Sequence, residues 1–193
     1  MKFAYLAYMK CLQDKESGHV TIYNENSYSD WAIEVYIMTV IALESFINEV
    51  ISSFAGKSIE KIPIEIFEGM DLRRKYYYFP LLYWDKTFNK AEYPYSDFNV
   101  LVKIRNCLVH YKMDSEEEKK YFKFMNNKKL LIPLNAFTQK ISNRKSALWA
   151  FNTTSKMAHK LIELSDKRTQ ILWGSMLSNF NEIDELGNIK SGK

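Results

Sequence analysis

The sequence predicts an all-α protein, built as a single-domain bundle of about five to seven helices. Only 6 Gly and 4 Pro occur among the 193 residues, so few residues interrupt a helix. Long stretches place apolar residues three and four positions apart, which is the helical period. Hydrophobic residues make up 47% of the chain, a globular composition that can fill a core without disulfides. No linker or repeat divides residues 1–193, so one domain is expected.

Helix-start and helix-stop signals place the elements in the first half of the chain. Residues 1–15 favour a short peripheral helix, and 20–23 favour a brief strand. Ser27 and Asp30 form an S-x-x-D start for a long apolar helix. Pro80 is expected to end the next helix, since proline lacks the backbone N–H that a helix interior needs.

The second half of the chain has its own start signals. Ser96 or Asp97 is expected to cap a helix, and the acidic run at 114–118 suits the start of another. Residues 182–193 are expected to fray. The predicted helices cover 1–15, 30–54, 64–78, 96–113, 114–127, 143–165 and 167–181.

Charge and residue counts restrict the function classes. The net charge of +4 permits a nucleic-acid partner without requiring one. The 2 Cys and 3 His residues are far apart and lack metal-ligand spacing, so we expect neither a disulfide framework nor a metal or other cofactor. Glu44, Asn48 and Glu49 make the apolar stretch 36–51 too polar for a membrane span. A reducing cytoplasm is the expected location.

Three polar residues stand out in the stretch IRNCLVHYK, 104–112. On a helical wheel Arg105 falls inside the apolar arc, with Val102 and Val109 on one side and Leu108 on the other. Asn106 and His110 lie one turn apart on the polar edge of that arc, with Lys103 beyond them. A guanidinium among aliphatic side chains is costly unless a carboxylate pairs with it.

The helix at 30–54 offers such a carboxylate. Glu44 falls among isoleucines and valines on its wheel, and Asn48 lies one turn further. We therefore predict that Glu44 and Asn48 face Arg105 or Asn106. One interpretation is a buried ion pair that only fixes helix register; the other is a functional site.

Together, RNCLVH (105–110) and ESFIN (44–48) resemble the motifs of the HEPN superfamily, the higher eukaryotes and prokaryotes nucleotide-binding domains. The family motif is Arg, four to six residues, then His, often with a polar residue directly after the Arg. The resemblance covers about residues 30–165. It implies a helical bundle that commonly forms a two-fold homodimer, with two motifs across one cleft. It also implies a metal-independent endoribonuclease with a role in toxin–antitoxin, phage-defence or RNA-processing systems, and hence an antitoxin or similar partner protein.

The resemblance assigns a role to each motif residue. His110 would be the acid or base and Arg105 the phosphate stabiliser, while Asn106 would position the RNA. Glu44 and Asn48 would support the arginine. The alternative is a catalytically inactive helical adaptor, or a module that binds nucleotides or RNA.

Further basic residues are candidates for RNA contact. In the tract at 70–84, Arg73, Arg74 and Lys75 precede three consecutive tyrosines, a mixture that can hold single-stranded RNA. Lys103 and Lys112 flank the motif itself. The competing interpretation of the tract is ordinary helix packing, with tyrosines at a dimer interface.

Overall fold

The structure of the chain is a computed structural model that describes residues 1–13, 31–54, 63–110, 115–131, 140–184 and 186–190. Within these ranges the regular elements are α-helical or 3-10, apart from one isolated bridge between Ile183 and Ile189. The predicted all-α class is therefore confirmed. Among the described residues, the α-helices with described bounds are α1 Lys2–Gln13, α2 Trp31–Ser52, α3 Glu65–Glu68, α4 Leu72–Trp84, α5 Tyr95–His110, α6 Ser115–Asn127, α7 Arg144–Leu164 and α8 Lys167–Gly174, and a 3-10 helix covers Ser175–Phe180.

Helix α2 is the centre of the bundle, and it packs against α1, α7 and α5. Its buried side chains recur at helical spacing and form one stripe. Burial of one large apolar side chain stabilises the fold by about 1.5–3 kcal/mol, so this stripe is the main source of the bundle's stability. The buried residues of α2 are Ala32, Val35, Tyr36, Thr39, Val40, Leu43, Phe46, Ile47, Val50 and Ile51.

Helix α2 is also long and apolar enough to cross a membrane by length and composition alone. By that test the expectation that Glu44, Asn48 and Glu49 make it too polar is wrong, since the apolar residues of the helix outweigh them. Half of its most apolar stretch is buried inside the bundle, as in the core helix of a globular protein. Among the described residues, it is the single helix that passes this test.

The segment predicted as one helix ending before Pro80 is two helices in the structure. Gly69 follows the short α3, and Asp71 starts α4 by accepting a 3.0 Å hydrogen bond from the Arg74 amide. Helix α4 then continues through Pro80 to Trp84. The prediction that Pro80 ends the helix is thus wrong, since residues 81–84 form the last turn of α4.

An aromatic cluster explains why α4 tolerates an interior proline. Phe79, Tyr83 and Trp84 all pack on Phe54, with ring centroids 5.4–6.1 Å apart. Phe67 of α3 contacts Phe79 and Tyr83 from the other side. Such ring pairs stabilise a fold by more than the burial of their apolar area accounts for. Together they offset the loss of the hydrogen bond that Pro80 cannot donate.

Asp97 does not cap α5, which begins at Tyr95. Its side chain is 2% exposed and accepts a 2.7 Å hydrogen bond from the Trp149 indole N–H. The Lys128 ammonium lies 2.8 Å from the same carboxylate oxygen. Asp97 therefore links α5 to α7 and to the residue after α6. Its predicted capping role was wrong because both partners are remote in sequence.

The two ends of the described chain meet beside α7. Asn152 pairs with the backbone of Ile183 through two 3.0 Å hydrogen bonds, one donated and one accepted. The Tyr5 hydroxyl donates to the carbonyl oxygen of Gly187 at 3.3 Å. Ile183 and Gly187 are thus buried against the bundle, so the prediction that 182–193 frays is wrong at these two residues. Leu186, Asn188, Ile189 and Lys190 are exposed.

The remaining helix predictions hold to within a few residues for α1, α2, α6 and α7. The helix predicted at 167–181 is α-helical only to Gly174 and then tightens to a 3-10 helix. The predicted strand at 20–23 and the start signals at Ser27 and Asp30 lie outside the described residues.

Candidate functional site

Glu44 of α2 and Arg105 of α5 form an ion pair where the two helices pack together. The Arg105 Nη2 lies 3.5 Å from the Glu44 Oε2. That separation is longer than the roughly 2.7–2.9 Å of a tight charge-assisted hydrogen bond. The predicted pairing of these two residues is therefore confirmed, as a close but loosely held contact.

The surroundings of Glu44 differ from the prediction. The buried stripe of α2 centres near Leu43, so Glu44 lies about 100° from its middle, at its edge. The Glu44 side chain is 47% exposed, and Ile41, expected in the same buried arc, is 46% exposed. Asn48 is exposed as well. The wheel failed here because it was centred on the polar residue and not on the apolar arc.

Arg105 is mostly covered, as predicted. Its side chain is 19% exposed, and Phe98, Leu101 and Ile104 on the same helix are fully buried. Its Nε is buried and has no hydrogen-bond partner among the residues that the structure describes. The guanidinium thus keeps donor capacity beyond its contact with Glu44. Val109, predicted in the apolar arc, is instead 49% exposed.

The other motif residues follow Arg105 along α5. Asn106 is partly exposed, and α5 extends to His110, so these two residues are one helical turn apart. His110 lies about 140° around the helix axis from Arg105. The His110 side chain and the whole of Lys112 lie outside the described part of the chain. The Lys103 ammonium lies 5.3 Å from the centre of the Tyr121 ring, in cation–π range.

Asn48 and Lys75 bind each other instead of their predicted partners. The Lys75 Nζ donates to the Asn48 Oδ1 at 2.8 Å. Asn48 was expected to face Arg105 or Asn106, and Lys75 was expected to contact RNA. Lys75 is only 8% exposed, so its ammonium ties α4 to α2 and is not presented to solvent.

Arg73 and Arg74 lie in a second place, at the N-terminal end of α4. Both guanidinium groups approach Asp71, with Nε–carboxylate distances of 3.9 Å and 3.5 Å. They border an open groove of about 300 Å³ that reaches the start of α5. We call it the basic groove, and its polar and aromatic lining includes Arg73, Arg74, Tyr77, Tyr78, Lys90 and Asn99.

The sequence pointed to only part of the basic groove. The tract at 70–84 supplied the arginines and tyrosines, but Lys90, Tyr95 and Asn99 were not singled out. Lys90 lies over the Tyr77 ring, 3.7 Å from its centre. The Tyr95 hydroxyl donates to the Arg73 carbonyl oxygen at 2.9 Å. Burial raises the pKa of Tyr95 to about 12, which keeps that donor protonated at neutral pH.

Comparison with known proteins does not extend these observations. No protein-family model, no curated protein and no solved structure matches the chain. Within the described residues, no three side chains of His, Cys, Asp or Glu cluster in a way that could hold a metal ion. Any assignment of function therefore depends on the residues and their geometry.

Proposed function

We propose that the chain is a metal-independent endoribonuclease of the HEPN type. The observation that carries this proposal is the ion pair between Glu44 and Arg105, which joins the two stretches that resemble the family motifs. A half-exposed carboxylate holding a largely covered guanidinium suits a group that must be oriented and still reach a ligand. A purely structural pair is expected to be tighter.

The proposed reaction is attack of a ribose 2′-hydroxyl on the adjacent phosphorus. His110 removes or delivers the proton, since imidazole titrates near neutral pH. The bond from phosphorus to the 5′-oxygen breaks, and that oxygen takes up a proton. The products are a 2′,3′-cyclic phosphate and a 5′-hydroxyl.

Arg105 supplies positive charge where the phosphorane gathers negative charge. Its Nη2 lies 3.5 Å from the Glu44 carboxylate, a loose contact that leaves donor capacity on the guanidinium. Such donors are suited to a charge that develops only during the reaction. Asn106 positions the RNA, and Glu44 acts through Arg105 as a positioning residue.

A second copy of the chain would complete the site. Arg105 and His110 are about 140° apart around the axis of one helix. One histidine also cannot readily act as both base and acid. Exposed apolar residues lie one turn from each ion-pair partner, Ile41 beside Glu44 and Val109 beside Arg105, and they could pack against a second copy. The proposed setting is a cytoplasmic toxin or phage-defence protein, acting on RNA and restrained by an antitoxin or similar partner.

Cleavage of a labelled single-stranded or stem-loop RNA in EDTA tests the proposal. We expect products with 2′,3′-cyclic phosphate ends, and loss of cleavage in His110→Ala and in Arg105→Ala. Arg168→Ala, which removes an exposed arginine on α8, is the matched control and should retain activity. Cleavage that persists in His110→Ala, or that stops on chelation, would contradict the mechanism.

A second candidate function is a non-catalytic module that binds RNA or nucleotides. The observation in its favour is the 19% exposure of the Arg105 side chain, which limits access to a phosphate. Under this alternative the protein binds RNA in the same assay and leaves it intact. Binding without cleavage, unchanged in His110→Ala, would support it over the nuclease.

A further inference from the structure

We infer that the basic groove binds a nucleoside 5′-phosphate, either as a free nucleotide or as the 5′-phosphorylated end of an RNA. This site is separate from the Arg105 motif and does not require the proposed nuclease activity. Its chemistry comes from three segments that meet: the first two turns of α4, the residues before α5, and the start of α5 itself. The inference depends on the charge, the aromatic surface and the size of the groove.

The charge of the groove fits a phosphate. Arg73, Arg74 and Lys90 bring three positive charges, and Asp71 brings one negative charge. The Asp71 carboxylate already accepts from the Arg74 amide, and each arginine nitrogen near it lies at least 3.5 Å away. Most guanidinium N–H groups are thus left for a ligand, in the fork geometry that recognises phosphate. The N-terminus of α4 adds a partial positive charge at the same end.

The aromatic residues fit the base of a nucleotide. Tyr78 is 40% exposed, so part of its ring remains open to a stacked base. The Tyr77 ring stands perpendicular to it, with ring centroids 5.2 Å apart, and supports it from the side. Lys90 covers the Tyr77 ring, so that face is already occupied. Asn99, partly exposed on α5, offers an amide that can bond a base edge.

The architecture of the groove favours a single nucleotide unit. A volume of about 300 Å³ is at the lower end of ligand pockets, which run from about 300 to 1,000 Å³. Tyr95 is 4% exposed, and its hydrogen bond to the Arg73 carbonyl fixes the start of α4 against α5. The floor of the groove is therefore rigid, while the arginines, 36% and 68% exposed, can close on a phosphate.

Calorimetric titration with AMP, UMP and inorganic phosphate tests the inference. We expect both nucleotides to bind, with inorganic phosphate at least about tenfold weaker, because it lacks the stacked base. Arg73→Ala and Arg74→Ala should each weaken nucleotide binding about tenfold or more, the effect of one lost charge-assisted contact. Tyr78→Ala should weaken nucleotides but not phosphate, and Tyr78→Phe should restore them. Arg168→Ala is again the matched control.

Two RNA oligonucleotides of one sequence, with a 5′-phosphate or a 5′-hydroxyl, distinguish the sources of the ligand. The measurement uses His110→Ala protein, so that cleavage cannot consume the RNA. A preference for the 5′-phosphate that AMP competes away identifies an RNA end as the ligand, and binding of AMP alone identifies a free nucleotide. Equal affinity for the two RNAs without AMP binding, affinity unchanged in the arginine variants, or equal affinity for an acidic peptide would overturn the inference. Failure of RNA cleavage would not affect it.

Discussion

The buried ammonium of Lys75 on α4 donates a 2.8 Å hydrogen bond to the side-chain oxygen of Asn48 on α2. Glu44, one turn away on the same helix, forms an ion pair with the guanidinium of Arg105 on α5. One edge of α2 thus receives two cations from two different helices. The Lys75 contact holds α4 against α2, beside the residue that orients Arg105.

Asn48→Ala should lower the free energy of unfolding by about 1–3 kcal/mol, because it leaves the buried Lys75 ammonium without its acceptor. Urea denaturation measures the loss. Lys75→Met in the Asn48→Ala background should recover part of it, since the unpaired charge is then gone. Equal stability of Asn48→Ala and the wild type would show that the bond does not hold α4 to α2.

Glu44→Gln should reduce RNA cleavage more than it reduces stability. Glu44 is half-exposed, so the pair contributes only about 0–1 kcal/mol to folding, whereas loss of its charge lets the Arg105 guanidinium move. We expect a fall in kcat of about tenfold or more, measured on the same labelled RNA in EDTA. The matched control is Glu49→Gln, an exposed carboxylate on the same helix. If both variants cleave equally well, Glu44 does not position Arg105.

Gly187→Ala should lower the stability of the fold, and Gly174→Ala should raise it. Gly187 has φ +83°, and a Cβ there would lie 2.7 Å from the Met9 Sδ, so alanine should cost about 1–2 kcal/mol. Gly174 is helical with open space around it, and alanine there should add about 0.4–1 kcal/mol. Thermal denaturation of the two variants tests both signs. A stable Gly187→Ala protein would mean that this segment can leave α1 at little cost.

As the N-cap of α8, Asp166 should stabilise the fold at neutral pH and lose that effect in acid. It caps α8 by accepting a 2.7 Å hydrogen bond from the Thr169 amide, and that bond lowers the pKa of its carboxyl below the usual value. Because its pKa is lowered in the folded state, the ionised Asp166 stabilises the fold at any pH above its unfolded-state pKa. This stabilisation is lost as the pH falls through the pKa of the folded state. Asp166→Ala should cost about 1 kcal/mol at pH 7. The difference from wild type should shrink below pH about 4, and a constant difference down to pH 2 would contradict the assignment.

Features set by the residue pattern within one segment could be predicted from the sequence. Helical periodicity located α2 and α7, and the Glu44–Arg105 pair followed from placing one charge in the apolar arc of each of two helices. The same reasoning failed at Pro80, where aromatic rings of α3 and of Phe54, just after α2, stabilise the turn that proline weakens. It also failed at Asp97 and Lys75, whose partners come from other helices. The basic groove combines three segments, so no single stretch of sequence carried its full pattern.

The contact between Tyr5 and Gly187 has a consequence for synthesis of the chain. Met9 and Leu12 of α1 pack directly against Gly187, so these contacts of α1 form only after residue 187 has left the ribosome. At roughly 5–20 residues per second, that interval is about 10–35 s. During this time α1 can pack on α2, but the part of its surface that contacts Gly187 remains accessible to chaperones. Packing of the bundle is completed only after residue 187 has been synthesised.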